Sequence, residues 1–388
     1  MAPENNETRR NDPCRCGSGK RFKHCHGSFD PMQRIMADVN LHATKTVDEE
    51  RIYGRAHRMV SLEFHGERFV GVGPRLYHSP NWRTPIDFLA FWIQECLGRG
   101  WGAAEQAKPF EERHPILQFA ASTGKWHATQ SPLPNGLKEA FATGAAIAYY
   151  GLAFDLWLVA NEGKLDNALV KRLKLADSYQ GARYELWLRA VFLKAGYELE
   201  LEDEKDGDST HVEFNVRNPQ TGRWFSVEAK ATARAGQLGK TEGSGEMVVR
   251  INANLKAALK KEAKYDRMVF IDLNLPPHEG EAIRSAWAEQ ASEELKHRQQ
   301  VMTDNANEVR AYVILTNHPF HYVGESVWVQ RGMVMASAMN IDGFLVGAPT
   351  SQETPGAQAW SDKFGADHPE LTDLMFTLET MQAIPADF

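Results

Sequence analysis

Between residues 178 and 230 the hydrophobic period switches from helical to alternating and then holds through three successive runs. This switch restricts the fold more than any other feature. SYQGARYELWLRAVFLKAG (178–196) reads as a helix and GYELELE (196–202) as a strand, followed by a turn-rich acidic loop, EDEKDGDS (202–209). THVEFNVRN (210–218) and GRWFSVEAKAT (222–232) read as two further strands joined at NPQTG. A helix over 251–266 follows, and then RMVFIDLNL (267–275), whose unbroken apolar centre predicts burial on both faces. Another helix, a strand AYVILTNH (311–318) and a strand HYVGESVWVQ (321–330) complete the series. Helix, three strands, helix, strand implies an α/β sandwich with a mixed sheet.

Side chains alternate faces along a strand, so parity sorts the residues of the two central strands. Val212, Phe214 and Val216 fall on one side, His211, Glu213, Asn215 and Arg217 on the other. In the next strand Phe225, Val227 and Ala229 oppose Trp224, Ser226, Glu228 and Lys230. If the strands pair as a hairpin with polar faces aligned, Glu213 joins Glu228 and Lys230. Two carboxylates beside one ammonium group are costly to bury unless a divalent ion neutralises them. Magnesium or manganese suits such a set, because magnesium needs few carboxylates and keeps several waters. The chemistry this serves best is phosphodiester hydrolysis.

This region, about residues 175–320, resembles the PD-(D/E)xK nuclease superfamily. Glu228-Ala229-Lys230 matches the (D/E)xK element, Glu213 the preceding acid and Glu185 the acid of the first core helix. The resemblance implies a restriction-endonuclease-like mixed sheet flanked by helices and a nuclease acting on DNA in defence or repair. It also implies that Glu185, Glu213, Glu228 and Lys230 are catalytic, with Glu213 and Glu228 as the magnesium ligands. Glu213-Phe214 departs from the family's usual Asp and lacks its proline, which keeps Asp208 open as a rival ligand. A protein of this fold that binds nucleic acid without cutting is the alternative. Lys256, Lys260 and Lys264 form a stripe opposite Ile251, Leu255, Ala258 and Leu259 that could follow a phosphate backbone or simply be a solvated face. The Gly- and Thr-rich loop ATARAGQLGKTEGSGE (231–246), with Arg234 and Lys240, reads as a substrate loop.

Three of the four cysteines crowd into DPCRCGSGKRFKHCHG (12–27). Cys14, Cys16, Cys25 and His26 complete a tetrahedral zinc set, with Gly17 and Gly19 permitting the reversal between the two pairs. His24 is a neighbouring imidazole that competes for the fourth position. Four protein ligands leave no open position for substrate, so the site is structural. The run RRNDPCRCGSGKRFKHCHG resembles the SEC-C motif known from the tail of the SecA translocation ATPase. That resemblance implies the same four ligands and an accessory that docks on a partner, so an adaptor recruited to a protein complex is a second alternative.

The rest of the chain bounds these readings. A net charge of -7, from 44 basic and 51 acidic residues, gives no global attraction to nucleic acid, so any such contact needs a local basic surface. TGAAIAYYGLAFDLWLVA (143–160) is apolar but short for a membrane span and contains Asp155, which predicts a buried helix. Cys96 lies in an apolar run and reads as an inert buried thiol. Thiolate ligands and the want of a signal-peptide pattern predict a cytoplasmic protein that does not enter a membrane. The expected division is a SEC-C clip at 1–28, a mainly helical region at 31–170, a nuclease-like domain at 171–350 and a tail at 351–388. Within the second part, 31–59, 84–98 and 136–161 read as helices, and SLEFHGERFVGVGPRLYHS (61–79) as a hairpin turning at His65-Gly66.

Overall fold

The computed structural model describes residues 11–14, 17–24, 59–201, 211–231, 251–275, 293–295, 297, 310–317, 324–325, 333–339 and 367–380. The chain forms two compact units, Met1–Ile52 and Tyr53–Phe388.

In the first unit, Pro13 and Arg21 bridge antiparallel, the Cys14 N–H donates to the Lys20 carbonyl at 2.8 Å, and the Phe22 N–H donates to the Asp12 carbonyl at 2.7 Å. The reversal between them uses Gly17 and Gly19 at φ 75° and 69°, a conformation that carries no steric penalty only for glycine. A single 3-10 turn, Phe22–His24, follows.

The second unit opens with an antiparallel meander of β1 (Ser61–Phe64), β2 (Glu67–Val72) and β3 (Arg75–Ser79). The expected hairpin thus gains a third strand, because Gly73 at φ 53° makes a second reversal whose N–H donates to Asn161 Oδ1 at 3.0 Å. Helices α1 (Pro85–Leu97), α2 (Arg99–Gln106), α3 (Pro115–Thr129), α4 (Gly144–Asn161), α5 (Asn167–Leu173) and α6 (Ala176–Lys194) come next. The helix expected over 136–161 starts only at Gly144, since Gly136 sits in a turn at φ 78° and Thr143 Oγ1 caps the Ala146 N–H at 3.2 Å. α4 is buried along most of its length, and its Asp155 is held by Arg183 Nη1 at 2.7 Å. Among the described residues no helix is long and apolar enough to cross a membrane.

The main sheet runs β4 (Glu198–Leu201), β5 (Phe214–Arg217), β6 (Trp224–Ala231), β7 (Asp266–Asp272), β8 (Ala311–Asn317) and β9 (Met333–Met339), in that spatial order. β4, β5 and β6 pair antiparallel, β6, β7 and β8 parallel, and β9 returns antiparallel, so the fold is α/β with a mixed sheet. α7 (Ile251–Lys260) lies between β6 and β7 in sequence, as a parallel crossover needs, and α8 (Pro369–Thr380) follows the sheet. One sheet face puts Phe214, Val216, Phe225, Val227, Phe270 and Ile314 into a core shared with α4, α6 and α8. The other face packs Val269, Ile271, Val313 and Leu315 against Ile251, Leu255 and Ala258 of α7.

Several expectations need adjustment. α7 ends at Lys260 rather than 266, and β7 starts at Asp266. Within 351–388, read from sequence as a tail, Leu371, Leu374 and Leu378 of α8 join the core. β9 was not foreseen. The strand expected at 321–330 lies outside the described residues except for Gly324 and Glu325, which form a turn. The helix expected over 31–59 lies outside them apart from its last residue, as do the acidic loop with Asp208 and the loop with Arg234 and Lys240.

Candidate active site

The β5–β6 ladder pairs Phe214 with Val227 and Asn215 with Ser226. One further step in this register sets Glu213 across from Glu228, and the Glu213 N–H donates to the Val227 carbonyl at 3.0 Å. Ser226 Oγ bonds Asn215 Oδ1 at 2.8 Å on the same face. The parity argument therefore holds: Glu213, Glu228 and Lys230 come together. The face is not a solvated one, however. α7 lies over it, and Asn215, Ser226 and Glu228 are buried, Glu228 completely at 0 % exposure.

Two ammonium groups meet the buried carboxylate. Lys230 Nζ pairs with Glu228 Oε1. Lys261 Nζ lies 3.0 Å from that same oxygen and donates to Glu213 Oε1 at 3.1 Å, so it bridges the two acids. Glu228 Oε2 is buried and has no hydrogen-bond partner among the described residues. Burial raises the Glu228 pKa and the charge of Glu213 adds to the rise, while both lysines oppose it. Burial alone would depress Lys261, but Glu213 and Glu228 outweigh it and hold the ammonium form.

Glu185, on α6, feels the charge of Glu213, but its own oxygens pair with other groups. Arg172 pairs with Oε2 and Arg189 Nη2 donates to Oε1 at 2.6 Å, while Arg189 Nη1 donates to Asp166 Oδ2 at 2.6 Å and to the Lys164 carbonyl at 2.9 Å. Burial raises the Glu185 pKa, Arg189 opposes, Glu213 adds to the rise, and Arg172 opposes. Glu185 thus adjoins Glu213 electrostatically while anchoring two guanidinium groups.

Lys261, Arg172 and Arg189 escaped the sequence reading. Arg189 was legible, because it stands four residues after Glu185 on one helix face. Lys261 was not: it follows the last residue of α7, where helical spacing stops predicting direction.

Two facing carboxylates, one with a buried oxygen that has no partner among the described residues, fit a divalent ion that retains water ligands. Among the described residues no group of three or more His, Cys, Asp or Glu side chains gathers to hold a metal. In the first unit Cys14 is buried, while Cys16, Cys25 and His26 lie outside the described residues. Cys96, read as a buried inert thiol, is only partly buried, and desolvation pushes its pKa up to about 12, which disfavours the thiolate. The α7 stripe is exposed at Lys256 and Lys260, and Lys264, also exposed, stands over the Tyr265 ring at 5.0 Å.

The SEC-C motif matches residues 10–28 of this chain. The match covers the cysteine-rich run alone and does not extend to the sheet. No solved structure matches the chain.

Proposed function

We propose that the chain is a divalent-metal-dependent nuclease that hydrolyses phosphodiester bonds in DNA and carries a structural zinc clip on Cys14, Cys16, Cys25 and His26. The observation that carries this reading is the convergence of Glu213, Glu228 and Lys230 on one sheet face, with a buried carboxylate oxygen that has no partner among the described residues. Glu213 and Glu228 are the residues that would hold magnesium or manganese. When bound, such an ion polarises phosphoryl oxygens and acidifies water. Lys230, less than a quarter exposed, keeps its ammonium group against Glu228 and can stabilise negative charge growing on a phosphate. Glu185 acts through Arg172, fixing a guanidinium whose charge also faces Glu213.

The test is single-turnover cleavage of labelled duplex and single-stranded DNA in magnesium, manganese, calcium or chelator. The parent should cut only with metal. Lys230→Ala and Glu228→Ala should each slow cutting by roughly a hundredfold, the scale of losing one electrostatic catalytic group. Undiminished cutting in chelator, or a fully active Lys230→Ala protein, refutes the mechanism. A second reading, nucleic-acid binding without cleavage, draws support from the two lysines that already balance the carboxylates, and binding by a parent that never cuts would favour it. The adaptor alternative rests on the SEC-C match and predicts capture of a partner protein that residues 10–28 are needed for.

A further inference from the structure

We infer that Lys261 is the resident counter-cation of the Glu213–Glu228 pair, and that a divalent ion entering this site has to displace it. The inference rests on the metal-site reading above and adds a residue to it.

The geometry distinguishes the two lysines. Among the described residues Lys230 ion-pairs with Glu228 alone, from a backbone position fixed in β6 opposite Ile271 of β7. Lys261 touches both acids, at 3.1 Å and 3.0 Å, so its nitrogen stands in the gap that an ion shared by the two carboxylates would need. Its backbone is held from both sides: the Lys261 N–H donates to the Ala258 carbonyl at 3.3 Å, and Arg267 Nη2 donates to the Lys261 carbonyl at 2.9 Å. Only the four-carbon stem is left to swing, and the side chain is 23 % exposed, which gives the displaced ammonium a path to water.

Charge balance points the same way. Two carboxylates and two ammonium groups sum to zero, which lets the cluster be buried without a metal. A divalent ion added to all four would leave two uncompensated positive charges in a site of low polarity, so at least one ammonium has to withdraw. Lys261 occupies the shared position and is the one displaced. Metal affinity is therefore set below what the two acids alone would give, and an incoming polyanion that takes up the displaced ammonium would raise it. Substrate and metal then bind with positive coupling.

Manganese binding, measured by electron paramagnetic resonance on the full chain without DNA, tests this directly. Lys261→Met should tighten binding about tenfold or more, since a competing charge beside the ion is gone. The same variant should unfold at a lower temperature than the parent in chelator and recover more of that loss when manganese is added. Lys261→Gln, which retains a polar tip, should shift affinity in the same direction and serves if the methionine variant does not fold. Affinity unchanged within twofold, weaker binding in both variants, or no binding by any form overturns the inference. Cleavage is a separate readout. A parent that cuts while affinity stays unchanged overturns the role of Lys261 alone; tightened affinity in a protein that never cuts overturns the nuclease reading alone.

Discussion

His114 caps the start of α3 with its ring: Nδ1 accepts the Ile116 N–H at 3.3 Å, and Trp101 and Tyr179 pack edgewise at 5.2 and 5.0 Å. Protonating Nδ1 would remove that acceptor. Burial lowers the His114 pKa from 6.5 to about 4, with Glu105 pulling it back and Lys108 adding to the fall. A histidine depressed in the native state takes up protons first in the unfolded chain. Its contribution is whole above pH 6.5 and is lost as pH falls toward 4, an effect of roughly 3 kcal/mol. Asp155 acts oppositely, because burial raises it from 3.8 to about 6 and the native state binds the proton first. The difference between parent and His114→Asn, which keeps a capping acceptor, therefore isolates the histidine. Urea midpoints should drop more steeply for the parent than for the variant between pH 6.5 and 4; parallel curves would remove His114 from the account. Such a site was invisible in the sequence, since nothing local marks His114 as buried. Glu213, Glu228 and Lys230 were legible because strand parity is a strict period of two.

The same contrast recurs among the elements. The order from α6 to β8 was readable because each run is long and keeps one period, whereas α8 and β9 were not. β9 is MVMASAM, poor in the β-branched and aromatic residues that mark strands, and it is specified by its partner β8 instead. α8 carries Leu371, Leu374 and Leu378 at helical spacing, but a single amphipathic segment of 12 residues shows its value only once a surface exists to receive it. That surface is specific. Glu370 at the helix start takes Arg223 Nη1 at 2.5 Å and the Tyr312 hydroxyl at 2.5 Å, and its carbonyl accepts the Tyr197 hydroxyl. Leu374, fully buried, should cost about 2–5 kcal/mol when replaced by alanine. Glu370→Ala takes the carboxylate acceptor from the buried Tyr312 hydroxyl on β8 and from Arg223 and should cost about 1–3 kcal/mol, while the Tyr197 bond to the backbone carbonyl stays. Guanidinium unfolding of both variants measures this. A cost near zero for Leu374→Ala would mean that α8 does not belong to the cooperative unit.

At the scale of the whole chain, the division into Met1–Ile52 and Tyr53–Phe388 separates two ways of making a stable structure. The second unit has a continuous apolar core that runs from β2 through α6 to α8. The described part of the first has almost none: Cys14 is buried, while Phe22 and Lys23 are half-buried and Lys20, Arg21 and His24 are exposed. A segment so short and polar needs an external source of folding energy, which a closed set of thiolate and imidazole ligands on zinc can supply. If so, the two units should respond independently. Metal analysis should find about one zinc per chain, and Cys14→Ser with Cys25→Ser should abolish it, because a tetrahedral site does not survive the loss of two ligands. The thermal midpoint of the second unit should stay within a degree or two of the parent, given how little apolar surface the first contributes. Deleting residues 1–52 should leave the same midpoint and, on the nuclease proposal, the same rate of metal-dependent cutting per molecule. Zinc retained at full occupancy in the double variant would refute the clip. A second unit that unfolds when residues 1–52 are removed would show instead that the sheet depends on the segment before it, and the two units would have to be treated as one cooperative structure.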